Sequence, residues 1–140
     1  MSEDLKAIAR RMWEDVWPNG DVDALRQILH PDTVNHEAPP GTPPGIDGVI
    51  HTMQWLRSAF SDQRYEIHDM IAEDDTVVVH LTHHGRHTGE FMGMPPTGRS
   101  FAYRHMHMMR FQDGLSIEHW AVRDDAAHMR QLQGAEVRAS

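Results

Sequence analysis

Twelve of the 140 residues are histidines, and the spacing of His105, His107 and His119 points to one site. His105 and His107 stand two apart in the strand-like run 101–111. Alternation along a strand turns them to one face with Phe101, Tyr103, Met109 and Phe111. In the next run, 115–122, His119 shares a face with Leu115, Ile117 and Ala121. Gln112-Asp113-Gly114 joins the two runs as a tight hairpin, so His107 and His119 fall on adjacent strands within reach of one ligand. Two chemistries suit such a group. Imidazole titrates near pH ~6.5, so paired rings serve as general base and general acid and titrate as a unit. Three imidazoles with an open position also suit zinc, or iron or manganese where a carboxylate joins, with His36 or His83 as a further ligand. No HExxH helix marks a metal site, and the first expectation is chemistry without a cofactor.

Those strands need a scaffold. Leu5, Ile8, Met12 and Val16 recur at helical spacing, widened by Trp13 and Trp17, until Pro18-Asn19-Gly20 stops the helix. Asp21 caps a second short helix with Val22, Leu25, Ile28 and Leu29 inward, closed by Pro31. The proline-rich stretch 37–45 is a loop, and a third helix follows with Ile46, Ile50, Met53, Leu56 and Phe60 as its stripe. From Tyr65 the period changes to that of strands: 65–68, 76–82, 101–111 and 115–122, with turns at 73–75 and 112–114. Pro95-Pro96 interrupts the chain before the third strand, and a last helix carries Ala126, Met129 and Leu132 with Asp124 as its cap. Helices followed by hairpins predict an α+β domain spanning 1–140, helices on one face of an antiparallel sheet.

Composition excludes several functions. The net charge of −8 argues against nucleic acid and against an anionic membrane surface. No apolar run reaches the ~20 residues of a membrane helix, and the acidic start does not read as a signal peptide. With no cysteine there is neither disulfide nor thiolate chemistry, and the cytoplasm is the expected compartment. Protonating all twelve histidines would carry −8 to +4, so pH-sensitive behaviour is expected.

The run GRHTGEFMGMPPTGRSF, followed by MRFQDGLSIEHW and MRQL, resembles the SnoaL-like polyketide cyclases and ester cyclases. HPDTVN at 30–35 and WLRSAFSD at 55–62 fall at matching places, so the likeness runs from the first helix to the last. It implies a cone-shaped, strongly curved antiparallel sheet wrapped around the N-terminal helices (an α+β barrel), with an internal pocket, packed as a homodimer. It also implies a polyketide-like small-molecule ligand and acid–base ring closure in secondary metabolism, although one fold hosts many reactions. His107, His119 and Asn35 match cavity positions of that family, and His105 stands where relatives carry an amide. One departure matters: the aspartate that follows the EHW tryptophan in the cyclases is Ala121 here. A methyl group transfers no proton, so His107 or His119 is expected to be the base. The other ring, with Asn35 or Tyr103, is expected to hold the enolate oxygen. The competing readings are an accessory hydroxylase of this family, a His-ligated metal enzyme using His105, His107, His119 and His36, and a pocket that only binds.

Other residues have plainer readings. Trp13, Trp17, Trp55 and Phe60 are core by spacing, yet in a cone the inner helix faces also roof the cavity, so they are candidate substrate contacts. Met92 and Met94 are a candidate soft lip. His83, His84 and His87 read as surface or capping residues, with His87 kept at the pocket rim by its place in GRHTG. His30, His51, His68, His80 and His128 read as surface or half-buried. Met106, Met108, Trp120 and Val122 form an apolar stripe on the opposite strand face, which a second copy of the chain would cover.

Overall fold

A computed structural model describes residues 2–134; the ends of the expected 1–140 domain lie outside the described residues. Helix α1 (Ser2–Arg11) runs through a π-helical turn at Met12–Val16 into the short α2 (Trp17–Asn19), which ends on Gly20 in the left-handed conformation. The widened turn presents Met12, Trp13 and Trp17 to the interior together. Asp21 caps α3 (Val22–Ile28) by accepting the Ala24 N–H, as its position before the apolar run requires.

Strand β1 (Leu29–Asn35) had no alternating pattern to announce it, because Pro31 interrupts it and only its edge is paired. It lies parallel to β5, so the sheet departs from the wholly antiparallel expectation at this one edge. Helix α4 (Gly45–Ala59) follows the proline-rich loop and packs across β1. Gly48 lets the loop approach: a Cβ there would sit 2.0 Å from the Pro43 carbonyl oxygen.

Strands β2 (Phe60–Glu73), β3 (Thr76–His87), β4 (Ser100–Gln112) and β5 (Leu115–Arg123) complete a sheet of order β1-β5-β4-β3-β2. Both β2 and β3 are longer than the alternation suggested. The last hairpin turns on Asp113 and Gly114, both with positive φ. Extra residues in β2, one set beside Asp62 at φ 54° and one at His68, and a further one at Ile117 in β5, bulge and curve the sheet. Helix α5 (Asp125–Gln133), capped by Asp124 through the Ala127 N–H, packs against β4.

The concave face carries two apolar clusters. One gathers Trp13, Trp17, Leu25, Met53, Val77, Val79 and Leu81; the other gathers Phe60, Phe91, Phe101, Tyr103 and Leu132. No helix among the described residues is long and apolar enough to cross a membrane.

Candidate active site

Between the concave sheet face and the helices lies a cavity of about 450 Å³. Inner-facing residues of β3, β4 and β5 form its floor; α4 and the π turn form its roof. Of the expected residues, His105, His107, His119, Asn35, Tyr103, Trp13, Trp17 and Trp55 all line it.

The floor is organised by one hydrogen-bonded chain. Asn35 Oδ1 receives the Glu37 backbone N–H at 3.1 Å, which identifies that atom as the oxygen. It therefore accepts from Nδ1–H of His119, 2.8 Å away. A neutral imidazole donates from one nitrogen and accepts at the other. His119 Nε2 thus accepts from His107 Nδ1–H at 2.8 Å, and His107 Nε2 accepts from His105 Nδ1–H at 3.0 Å. Every ring is fixed in one tautomer, and the chain ends at the lone pair of His105 Nε2, which is buried and has no partner.

A second network has the same logic. Gln63 donates through Nε2 to the Phe60 carbonyl at 3.4 Å, leaving Oε1 to accept from His83 Nε2–H at 2.8 Å. His83 Nδ1 then accepts the Tyr103 hydroxyl at 3.3 Å. Tyr65 stacks on His83 at 4.2 Å and His128 stacks on Tyr103 at 3.9 Å.

All these rings are neutral near pH 7. Burial pushes His105 down to about 2, reinforced by the Arg123 charge and by repulsion from His128 once that ring is protonated. Burial also takes His119 down to about 3 and His128 to about 4, and holds His83 and His107 well below the ordinary histidine value. Burial raises the Tyr65 and Tyr103 hydroxyls. The expected charge swing is correspondingly smaller, since these five histidines resist protonation.

Several expectations are corrected. Phe60 does not reach the cavity: α4 ends at Ala59, so Phe60 takes a strand orientation and packs 4.8 Å from both Phe91 and Phe101. Met94 pairs with Phe91 across a turn at Met92-Gly93 and joins the second cluster, leaving Met92 at the cavity instead. His87 is fully buried behind the wall, its Nδ1 accepting the Thr97 backbone N–H at 3.3 Å. His36 lies outside, stacked on Trp120 and 2.7 Å from Glu118, so it cannot join the pocket rings as a metal ligand. The three pocket rings spend their facing nitrogens on one another, and no group of three or more metal-ligating side chains is assembled among the described residues.

The bulge at Ile117 turns Ser116, not Leu115 or Ile117, into the cavity. His128 was missed as a site residue, and His83, expected at the surface or as a further metal ligand, lines the cavity. His83 continues the buried parity of Val77, Val79 and Leu81, a signal lost by ending that strand at residue 82. His128 stands four before Leu132 on the buried side of α5. Ala121 pairs with His107 across β4 and β5, so no carboxylate stands beside the chain at that place.

The SnoaL-like polyketide cyclase family model matches residues 7–132. The aklanonic acid methyl ester cyclase of Streptomyces galilaeus is 33% identical over 94% of this chain and 92% of its own. IdmH, a proposed polyketide cyclase of Streptomyces antibioticus, is 32% identical with a TM-score of 0.80, covering 91% of this chain and 97% of its own. AclR, a proposed hydroxylase of Streptomyces galilaeus, is 26% identical with a TM-score of 0.85, covering 99% and 87%. The chain belongs to the SnoaL-like polyketide cyclase family. It is an enzyme of the polyketide cyclase type.

Two outcomes are expected. Long-range proton–nitrogen NMR should find Nδ1–H tautomers at His105, His107 and His119 and Nε2–H at His83 and His87; an Nε2–H signal from His105 would refute the chain polarity. Below pH ~6.5 the unfolded chain binds protons that the five buried rings refuse, so stability falls with acid. Each ring contributes about 2 kcal/mol of destabilisation by pH 5, against the ~5–15 kcal/mol that keeps a domain folded. Circular dichroism should record acid unfolding with a midpoint near pH ~5; a melting temperature unchanged from pH 7.5 to 5 would contradict this.

Proposed function

We propose that the protein closes a ring in a polyketide-derived small molecule by intramolecular aldol addition, with His105 Nε2 as the base. The observation that carries this is the polarised Asn35–His119–His107–His105 chain ending on an unpartnered acceptor in the wall of a largely apolar cavity. A carbon flanked by carbonyls is acidic enough for a neutral imidazole. In a dry site the enolate and the new imidazolium stabilise each other, which offsets the burial that disfavours the lone cation.

As His105 accepts the proton at Nε2, its Nδ1–H strengthens its hold on His107, and the positive charge spreads toward His119 and Asn35. His107, His119 and Asn35 act through His105 as positioning residues. The indole N–H of Trp13 is buried without a partner, and its ring lies 4.1 Å from that of His107. It supplies the donor for the enolate oxygen. Tyr103, whose hydroxyl proton is held by His83, lies beside His105 with ring centroids 4.5 Å apart and forms the aromatic wall against which the attacked carbonyl is seated. The enolate carbon bonds to that carbonyl carbon, and the resulting alkoxide takes the proton back from His105, so the step consumes no net proton and no oxidant.

Resemblance to AclR and the absence of a carboxylate at Ala121 favour hydroxylation as a second reading. That reading needs dioxygen, whereas the aldol does not, so anaerobic turnover separates the two.

Catalysed hydrogen–deuterium exchange at the acidic carbon of a bound β-dicarbonyl polyketide tests the base directly. His105→Gln should slow exchange by at least ~100-fold with binding retained. Asn35→Leu should slow it by ~10-fold or more and alter its pH profile, as a loss of tautomer control would. Binding without exchange in the wild type, or a loss under threefold in His105→Gln, would sink the proposal.

The reading includes a homodimer in the cytoplasm. Met106 at 49%, Val122 at 74% and Val34 at 50% exposure lie on the sheet's outer face with Met108 and Trp120. A second copy covering them is the simplest way to bury that area. Sedimentation should give a dimer that Val122→Glu converts to monomer; a monomeric wild type would reject it.

A further inference from the structure

The inner faces of β3, β4 and β5 carry one full charge. Arg123 lies on the same side of β5 as His119 and Ala121, pairs with His105 across the strands, and lines the cavity. Among the described residues its guanidinium makes no hydrogen bond and no ion pair. The acidic groups lining the same cavity are Glu37, half-buried in the proline-rich loop, and Asp125, exposed at the start of α5. The deeper wall is neutral, made of imidazoles, indoles, phenols and aliphatic side chains. The field of Arg123 reaches six of those buried groups on four strands: Tyr65, His83, Tyr103, His105, His107 and His119. Arg123 is itself half-buried at the end of β5, where no protein acceptor among the described residues holds its guanidinium. It also raises the difficulty of placing positive charge on the neighbouring imidazoles, which favours a ligand that brings its own negative charge.

We propose that Arg123 is the specificity residue for an ionised carboxylate on the substrate, so that this chain takes a polycyclic free acid in preference to the corresponding ester. The proposal rests on the polyketide-pocket reading above and adds the ionic state of its ligand. The guanidinium fork matches a carboxylate in two parallel hydrogen bonds, whereas an ester offers a neutral carbonyl oxygen and a bulky alkyl group. A carboxylate held there sits beside His105, places the reacting carbon near its Nε2, and supplies the counter-charge for the imidazolium formed on proton transfer.

Anthraquinone-2-carboxylate and its methyl ester form a matched pair of planar probes. Their affinities for the full chain are read from quenching of Trp13, Trp17 and Trp55, which line the cavity. The carboxylate should bind wild type at least ~10-fold more tightly than the ester. Arg123→Gln should bring the two within about twofold, and Arg123→Lys should keep part of the preference as a point charge. Raising sodium chloride from about 0.05 to 0.5 M should weaken wild-type binding of the acid and leave the ester unchanged, a readout independent of whether the variants fold. Equal wild-type affinities, or a preference that persists in Arg123→Gln, would overturn the role of Arg123 and leave the pocket reading standing. Failure of both probes to bind would overturn the pocket reading and this inference with it.

Discussion

The site depends on a single oxygen. Asn35 Oδ1 takes two N–H groups, one from the Glu37 backbone and one from His119, and so cannot exchange places with its own amide nitrogen. That constraint propagates through three rings, because each neutral imidazole that accepts at one nitrogen must donate at the other. Its effect is felt at His105, two hydrogen bonds beyond His119, where an otherwise ambiguous ring becomes an acceptor facing no protein donor. Asn35 itself ends β1, the one strand that runs parallel to its neighbour. A strand that looks like an edge decoration therefore sets the polarity of the whole cavity floor.

The arrangement is expensive in stability. Buried polar atoms normally find partners, and each one left alone costs about 1–3 kcal/mol. Trp13 Nε1, His105 Nε2, Ser116 Oγ and His128 Nε2 are all orphaned, and all belong to residues that line the cavity. Residues chosen for folding alone would not leave four such atoms in one place. The surrounding aromatic packing offsets the cost: Phe60 holds Phe91 and Phe101, Tyr65 covers His83, and Tyr103 covers His128. Among the described residues two further buried atoms, His80 Nε2 and His87 Nε2, lack partners away from the cavity, so four of six such atoms gather at this one site, as expected of a functional pocket.

Much of this was legible from residue order, and the failures have identifiable causes. The face shared by Tyr103, His105 and His107 follows from the period of a strand, and the contact with His119 follows from the Asp113-Gly114 hairpin. The caps at Asp21 and Asp124 follow from side-chain oxygens placed before helical runs. Phe60 was misassigned because one residue of helix overrun redirects a side chain by far more than a strand step does. Leu115 and Ile117 were misassigned because the bulge at Ile117 reverses parity, and nothing in the local residues announces it. His83 was placed outside the pocket because its strand was ended at residue 82, and His128 because the buried side of α5 is set only when that helix packs on β4.

By itself, then, the order of residues determined the main helices and the four antiparallel strands, the inward parity of β4 and the set of imidazoles available for chemistry, since these depend on local periodicity and turn conformation. Only the tertiary structure decided which nitrogen is left without a proton, which rings belong to the pocket and which to the outer surface, and where the half-buried Arg123 stands against the cavity. Those properties arise between residues as far apart as Asn35 and His119, and hydrogen-bond direction and burial exist only once such distant groups have been brought together.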